Sequence, residues 1–297
     1  MENGQIMKSS DKIAILGTGL MGRPMAERIL RAGYPLSVYN RTPEKAAPLK
    51  ERGAKVTKTV MEAVMESECI ILMLPDIQAI RDVLFVRDSA ASLSGRTFLQ
   101  MGTISPGESV ALSKHIMKYG GDYLEAPVLG SIPEAEQGKL IVMVGASSDQ
   151  FERWSALLGC FGPDPLLIGR VGQGAALKLA LNQLIAALTS AFSLSLAFVE
   201  NSGVSTDRFM DILRQSALYA PTFDKKLHRM LERDFSNPNF PTKHLAKDIG
   251  LFLKAAKSLD LETAGLEGIR KIIEKALFQG WAEDDYSAIH SIISPAG

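Results

Sequence analysis

Lys12-Ile13-Ala14-Ile15-Leu16 is a compact apolar run that passes without a spacer into Gly17-Thr18-Gly19-Leu20-Met21-Gly22. The apolar run reads as a buried strand, and Leu20 to Ala32 reads as a helix ending at Gly33. A G-x-G-x-x-G pattern is weak by itself, but placed between a strand and a helix it is the turn that holds a dinucleotide. In that turn Gly17 permits the tight bend, Gly19 lets a pyrophosphate approach the backbone, and Gly22 lets helix and strand pack closely. The backbone amides of Thr18, Leu20 and Met21 lie at the helix start, where free N–H groups hold phosphate.

The second strand, Leu36 to Tyr39, ends in Asn40-Arg41-Thr42. NAD-binding loops usually place a carboxylate about 20 residues beyond the glycines to accept the ribose hydroxyls. No acid stands here. Arg41 can pair with a 2′-phosphate and stack on adenine, and Asn40 and Thr42 can donate hydrogen bonds, so the expected cofactor is NADP(H).

Working outward, the alternation continues. A helix is expected from Pro43 to Glu51, a strand at Ala54 to Val56 and a helix from Val60 to Glu66. Further strands are expected at Cys69 to Leu74, stopped by Pro75, then at Thr97 to Gln100, Asp122 to Glu125 and Leu140 to Val144. This spacing predicts a parallel sheet with helices on both faces. After Gly172 the strand-like runs cease, and the first helical segment is long, about Gly174 to Asn201, with Gly203 as its stop. The expected fold is therefore α/β: an N-terminal Rossmann-type doubly wound sheet over residues 10–171, then an all-α C-terminal domain over 172–297, linked by a long helix.

At 297 residues two domains are the natural expectation. Lys+Arg and Asp+Glu balance at 33 each, which gives no electrostatic reason to expect nucleic acid or an anionic membrane as partner. Cys69 and Cys160 sit among apolar residues and read as free buried thiols, suited to a cytoplasmic setting. Neither lies in a C-x-x-C pattern and the histidines are scattered, so no metal site is expected. The segment Met1 to Asp11 is polar and lacks the apolar core of a signal peptide. Ala175 to Phe198 has the length of a membrane span, but Asn182, Gln183, Thr189, Ser190, Ser193 and Ser195 stud it, which favours burial between protein surfaces. A helix on the order of 40 Å long outruns a small domain, so a homodimer or homotetramer is expected to cover it.

Lys178 is the only charge in that stretch, and Asn182 follows at i+4 on the same helical face. A lysine in apolar surroundings is normally paired, functional, or snorkelling to a domain edge. Burial favours its neutral form, which suits proton transfer. Helix chemistry alone leaves these readings open.

Five motifs in order narrow them: the glycine loop with Met25-Ala26, Asn40-Arg41-Thr42, Ala126-Pro127-Val128-Leu129-Gly130, Lys178-Leu179 with Asn182, and Lys247-Asp248. From Lys12 to about Ile293 the chain resembles the β-hydroxyacid dehydrogenase family, with Asn-Arg-Thr and Met101-Gly102-Thr103 closest to its NADPH-using glyoxylate/succinic semialdehyde reductases. The resemblance implies that Lys178 is the catalytic lysine and Asn182 the substrate-orienting asparagine. It implies that Leu74 and Pro75 line the cofactor, that Thr103 lies near the nicotinamide ribose and that Lys247 reaches the cofactor. Without it, Thr103 and Lys247 would read as capping or surface residues. It also puts Gly130 and Ser131 in a loop whose amides hold a substrate carboxylate. The substrate it implies is a small aldehyde, keto acid or hydroxy acid, lying between the domains.

Two departures stand out: many members carry serine where this chain has Leu129 and Gly102, and losing both hydroxyls is expected to enlarge or dry the pocket. An imine reductase shares the glycine loop but usually has Asp or Tyr in place of the lysine. A non-catalytic NADPH-binding dimerisation module typically lacks the lysine.

Overall fold

The computed structural model describes residues 10–85 and 93–295. Residues 1–9, most of the segment weighed above as a signal peptide, and residues 296–297 of the expected helical domain lie outside the described residues. Two compact units follow one another, the first ending at Lys178 and the second starting at Leu179.

The first unit carries β1 (Ile13–Leu16), β2 (Leu36–Tyr39), β3 (Lys55–Val56), β4 (Cys69–Leu72), β5 (Thr97–Gln100), β6 (Asp122–Glu125), β7 (Val128–Leu129), β8 (Ile141–Gly145) and β9 (Leu166–Gly169). Its helices are α1 (Gly22–Arg31), α2 (Ala47–Lys50), α3 (Val60–Met65), α4 (Ile77–Leu84), α5 (Pro106–Lys118), α6 (Ile132–Gln137) and α7 (Ser148–Leu158). Helix α8 (Gln173–Asn201) leads on to α9 (Thr206–Gln215), α10 (Pro221–Glu232), α11 (Thr242–Lys257), α12 (Ala264–Phe278) and α13 (His290–Ile293).

The sheet runs β3-β2-β1-β4-β5-β6-β8-β7, with β9 on β8. From β3 to β6 every pairing is parallel, in register Ile13↔Leu36 and Ile13↔Cys69 at the centre. Successive side chains of β1 face opposite ways, as strand geometry requires. Ile13 and Ile15 join Met25, Ala26 and Ile29 of α1, whereas Ala14 and Leu16 join Ile80 and Leu84 of α4 and Leu112 of α5. The chain thus reverses its winding between β1 and β4, and in open α/β sheets the crevice at such a switch point takes the ligand.

The sheet is parallel-dominated as expected, with an antiparallel element at one side. β8 runs antiparallel to both β6 and β7. β7 is two residues long, and β9, a four-residue strand, directly follows Pro163-Asp164-Pro165, a stretch that reads as a turn. Strand β4 also stops at Leu72 rather than Leu74, because β1 ends at Leu16, its partner there. The helix expected from Pro43 to Glu51 is split into a 3-10 turn, Pro43–Lys45, and α2, since Pro48 has no N–H to continue the ladder.

In the second unit Ala186 of α8 packs with Leu245 and Ile249 of α11 and Ile273 of α12, and Phe192 and Leu196 pack with Met210 and Phe223. Helix α8 is long and apolar enough to cross a membrane by length and composition alone. One of its buried polar side chains is paired with another helix: Ser193 and His290 share a hydrogen bond, Oγ to Nδ1, of 2.7 Å. In the acidic run Glu283-Asp284-Asp285 only the last residue is buried. Asp285 caps the turn Tyr286–Ile289 through Ser287, and it also forms a buried ion pair with Lys226 at 2.7 Å.

His290 is only 2% exposed, and its burial, with the charge of Arg233 adding to it, lowers the imidazole pKa from 6.5 to about 4. Between those values the unfolded chain binds the proton and the folded chain does not, so stability falls as pH drops through that window. The unfolding midpoint should therefore fall from pH 7 to pH 5 by a few degrees, given about 2–4 °C per kcal/mol for a chain of this size. His290→Gln, which keeps a partner for Ser193, should flatten that slope in a thermal melt. An unchanged slope would assign the acid sensitivity elsewhere.

Candidate functional site

The glycine loop is shaped by contacts that exclude side chains. Gly17 has φ +101°, and a Cβ there would lie 2.3 Å from the carbonyl oxygen of Met73. A Cβ on Gly22 would lie 1.9 Å from the Gly17 oxygen, which is how α1 begins so close to β1. At Gly19, by contrast, a Cβ would meet nothing within 4 Å. The N-terminus of α1, beside Leu20 and Met21, has no side-chain cap. Thr18 Oγ1 is buried with no hydrogen-bond partner among the described residues. An open approach at Gly19, uncapped helix amides and an orphaned hydroxyl fit a bound pyrophosphate.

Asn40 binds this loop to the end of β2. Its Oδ1 accepts from the Thr18 amide at 2.9 Å and its Nδ2 donates to the Thr42 carbonyl at 2.9 Å. Asn40 therefore shapes the loop with the hydrogen bonds it was expected to offer a phosphate, and Arg41 stands exposed beside it. Leu74 closes the same region, its Cδ2 3.1 Å from the position of a Gly17 Cβ, and Pro75 follows it.

The expectation that Gly102 enlarges the pocket is overturned. A Cβ at Gly102 would stand 2.5 Å from the Leu74 carbonyl oxygen, so the glycine marks backbone-to-backbone contact and leaves no vacated space. Thr103 follows directly. It does not cap α5: Ser105 does, in a capping box with Glu108. The capping alternative for Thr103 therefore falls away.

Leu129, Gly130 and Ser131 form a second group, from β7 into α6. Leu129 is half-buried and pairs with Ile141. Here the structure changes the expected chemistry. Both the amide and the Oγ of Ser131 donate to Glu134 Oε2, at 2.8 and 2.7 Å. The Glu134 carboxylate occupies the donors that were expected to hold a substrate's carboxylate.

Lys178 lies in the second turn of α8 and is 8% exposed. Asn182, one turn further along the same helix, is 1% exposed. Its Nδ2 donates to Asp248 Oδ2 at 2.6 Å. Because the donor end must face the carboxylate, Oδ1 is turned away, and it is buried without a hydrogen-bond partner. Lys247 Nζ lies 3.1 Å from Asp248 Oδ1. Asp248 therefore joins the two residues read from the sequence, Asn182 and Lys247, through a buried carboxylate that sequence reading quoted but gave no role. No local signal marks it, because an acid beside Lys247 on the amphipathic helix α11 reads as solvated.

Known proteins resemble the chain over nearly its whole length. The profile of the NAD-binding domain of 6-phosphogluconate dehydrogenase matches residues 12–169, and that of NADP-dependent 3-hydroxyisobutyrate dehydrogenase matches residues 172–293. The chain is 30% identical to the chloroplastic glyoxylate/succinic semialdehyde reductase 2 of Arabidopsis thaliana, over 96% of this chain and 80% of that one. It is 34% identical to the 2-hydroxy-3-oxopropionate reductase of Escherichia coli, over 94% and 95%. Among solved structures, 3-hydroxyisobutyrate dehydrogenase of Mycobacterium tuberculosis with L-serine superposes with TM-score 0.85 at 24% identity, over 95% and 98%.

The geometry around Ser131 makes a direct prediction. Glu134→Ala should release the Ser131 donors and lower KM for a carboxylate-bearing aldehyde by about ten- to a hundredfold, the value of a hydrogen bond to a charged group. KM for a neutral aldehyde should stay put. Equal effects on both substrates would mean that Ser131 does not bind the carboxylate.

Proposed function

Given that the chain belongs to the β-hydroxyacid dehydrogenase family, and is thus an NAD(P)-dependent oxidoreductase acting on a CH–OH group, we propose that it reduces small aldehyde or keto acids with NADPH, using Lys178 as acid and base. Glyoxylate and succinic semialdehyde are the proposed substrates. In this reading residues 10–171 bind the cofactor and 172–297 serve substrate and assembly.

The observation that carries the proposal is the buried Lys178 one helical turn before an asparagine whose acceptor oxygen is buried and unsatisfied. When bound, the reduced nicotinamide supplies a hydride to the carbonyl carbon. Protonated Lys178 donates a hydrogen bond and then its proton to the carbonyl oxygen as negative charge develops there. In the reverse direction the neutral amine accepts the hydroxyl proton. Asn182 Oδ1 accepts from the hydroxyl of the hydroxy-acid product, which the aldehyde gains on reduction, and Asp248 keeps that amide from rotating. Thr18, the amides of Gly19 to Gly22, Arg41, Thr42, Leu74, Pro75, Thr103 and Lys247 are the proposed cofactor contacts, with Asn40 holding the loop that carries them.

Leu129 favours the longer substrate. The methylenes of succinic semialdehyde can lie against it, at about 0.8 kcal/mol per buried CH₂. Assembly with a second copy of the chain is supported by the side of α8 that carries Leu184, Leu188, Leu194 and Phe198, all exposed and the last 71% so. A cytoplasmic setting agrees with the free buried Cys69 and Cys160.

Lys178→Ala should lower turnover by about two to four orders of magnitude, the range for a positioned acid/base, with little change in NADPH affinity. Near-normal turnover would remove Lys178 from the chemistry. Cofactor binding without turnover of any aldehyde, or turnover of cyclic imines alone, would replace the proposed reaction. Arg41→Ala should weaken NADPH more than NADH by about ten- to a hundredfold, as expected for a charge-assisted pair to phosphate. Equal losses for both cofactors would show Arg41 to be structural.

A further inference from the structure

Glu125 ends β6, and it is a carboxylate only 1% exposed, among the apolar residues of the sheet. A buried charge persists only where hydrogen bonds replace its water. The Glu125 carboxylate finds them at the start of α8. Its Oε1 accepts from the amides of Gly172 at 2.8 Å and Ala175 at 3.0 Å, and the Gly174 amide adds to these. Its Oε2 accepts from Ser109 Oγ of α5, and that hydroxyl is 2.7 Å from Tyr123 OH. With Ser109 donating to Glu125, the Tyr123 hydroxyl must be the donor in the second bond, so a directed chain runs Tyr123 to Ser109 to Glu125 to α8.

The surroundings are cut to fit this carboxylate. A Cβ on Gly145 would stand 2.5 Å from Oε1, and one on Gly174 would stand 3.2 Å from it and 2.8 Å from the Met143 carbonyl oxygen. The first turn of α8 thus lies directly on the β8 backbone at Met143, and the Glu125 side chain joins it to β6. Lys178 is three residues beyond Ala175, about 4.5 Å along the helix axis. Burial raises the Glu125 carboxyl above its ordinary pKa, and the hydrogen bonds from Ser109, Ala175, Gly172 and Gly174 offset part of that rise.

We propose that Glu125 is a positioning residue for the reaction: it fastens the first turn of α8 to the sheet and so fixes where the Lys178 side chain stands. The inference rests on the acid/base role given above to Lys178. It adds a second task to a residue that would otherwise count as a helix cap, because the capped turn is the one immediately before the lysine. A displacement of about 1 Å at a catalytic group can lower turnover about a hundredfold, so a loosened cap is felt in kcat well before the fold is lost.

The test uses the full chain with four variants, Glu125→Ala, Glu125→Gln, Gly174→Ala and Lys178→Met, each assayed well below its own unfolding midpoint. Glu125→Ala should lower kcat by about tenfold or more with the NADPH dissociation constant within about twofold, since only the placement of Lys178 changes. Glu125→Gln keeps an acceptor for the α8 amides and should restore kcat to within about threefold of wild type. If Glu125→Ala does not fold, Gly174→Ala decides, because its Cβ wedges the helix start from Met143 and should give the same split between kcat and cofactor binding. A lowered midpoint with wild-type kcat in the folded Ala variants, beside an inactive Lys178→Met, would overturn the positioning role and leave the lysine's role standing. Glu125→Gln as slow as Glu125→Ala would also overturn it, pointing to charge in place of tethering. An active Lys178→Met would take down the lysine's role and this inference together.

Discussion

A single uninterrupted helix has to satisfy two sets of neighbours, and that constraint organises the chain. Helix α8 begins against the sheet, where Gly172, Gly174 and Ala175 donate to Glu125, and continues into the helical unit, where Ala186, Phe192 and Leu196 are core residues. Lys178 and Asn182 fall at the passage from one set to the other. The residues least compatible with an apolar helix therefore sit where the helix leaves one core and enters the next. Each is buried, and each buried polar atom there must be met by protein or by ligand. Asn182 meets Asp248 with one end and leaves the other without a hydrogen-bond partner among the described residues.

Much of this architecture is legible in the residues themselves. The apolar run Ile13 to Leu16 followed by three glycines specifies strand, turn and helix because Gly17 and Gly22 occupy positions that no Cβ can enter. Strands β2, β5 and β6 fall where alternation of apolar runs places them. What escapes is set by partners rather than by local pattern. β7 exists only because two residues meet β8, β9 hides behind two prolines, and the length of β4 is decided by where β1 stops. The direction of β8 is likewise a matter of pairing, to which a one-dimensional pattern is blind.

The site follows the same division. Lys178, Asn182 and the glycine loop are legible because each violates its surroundings, as a charge or an amide in an apolar helix or as glycines at a strand end. Asp248, Glu134 and Glu125 are not, because an acid in an amphipathic stretch reads as solvated until its partner is seen. Glu134 also changes the expected chemistry at Ser131, and Gly102 shows that a missing side chain can record backbone contact in place of open space. In both cases the resemblance supplied the residue and the packing supplied its meaning.

The central claim is that one amine serves as acid in reduction and as base in oxidation. It is tested most directly by the pH dependence of kcat/KM in both directions with the same substrate pair. An acid that must be protonated makes reduction fall as pH rises through its pKa, and the same group as a base makes oxidation fall as pH drops through that value. The account predicts opposite limbs that share one apparent pKa. Limbs of the same sign, or limbs with separate pKa values, would contradict it.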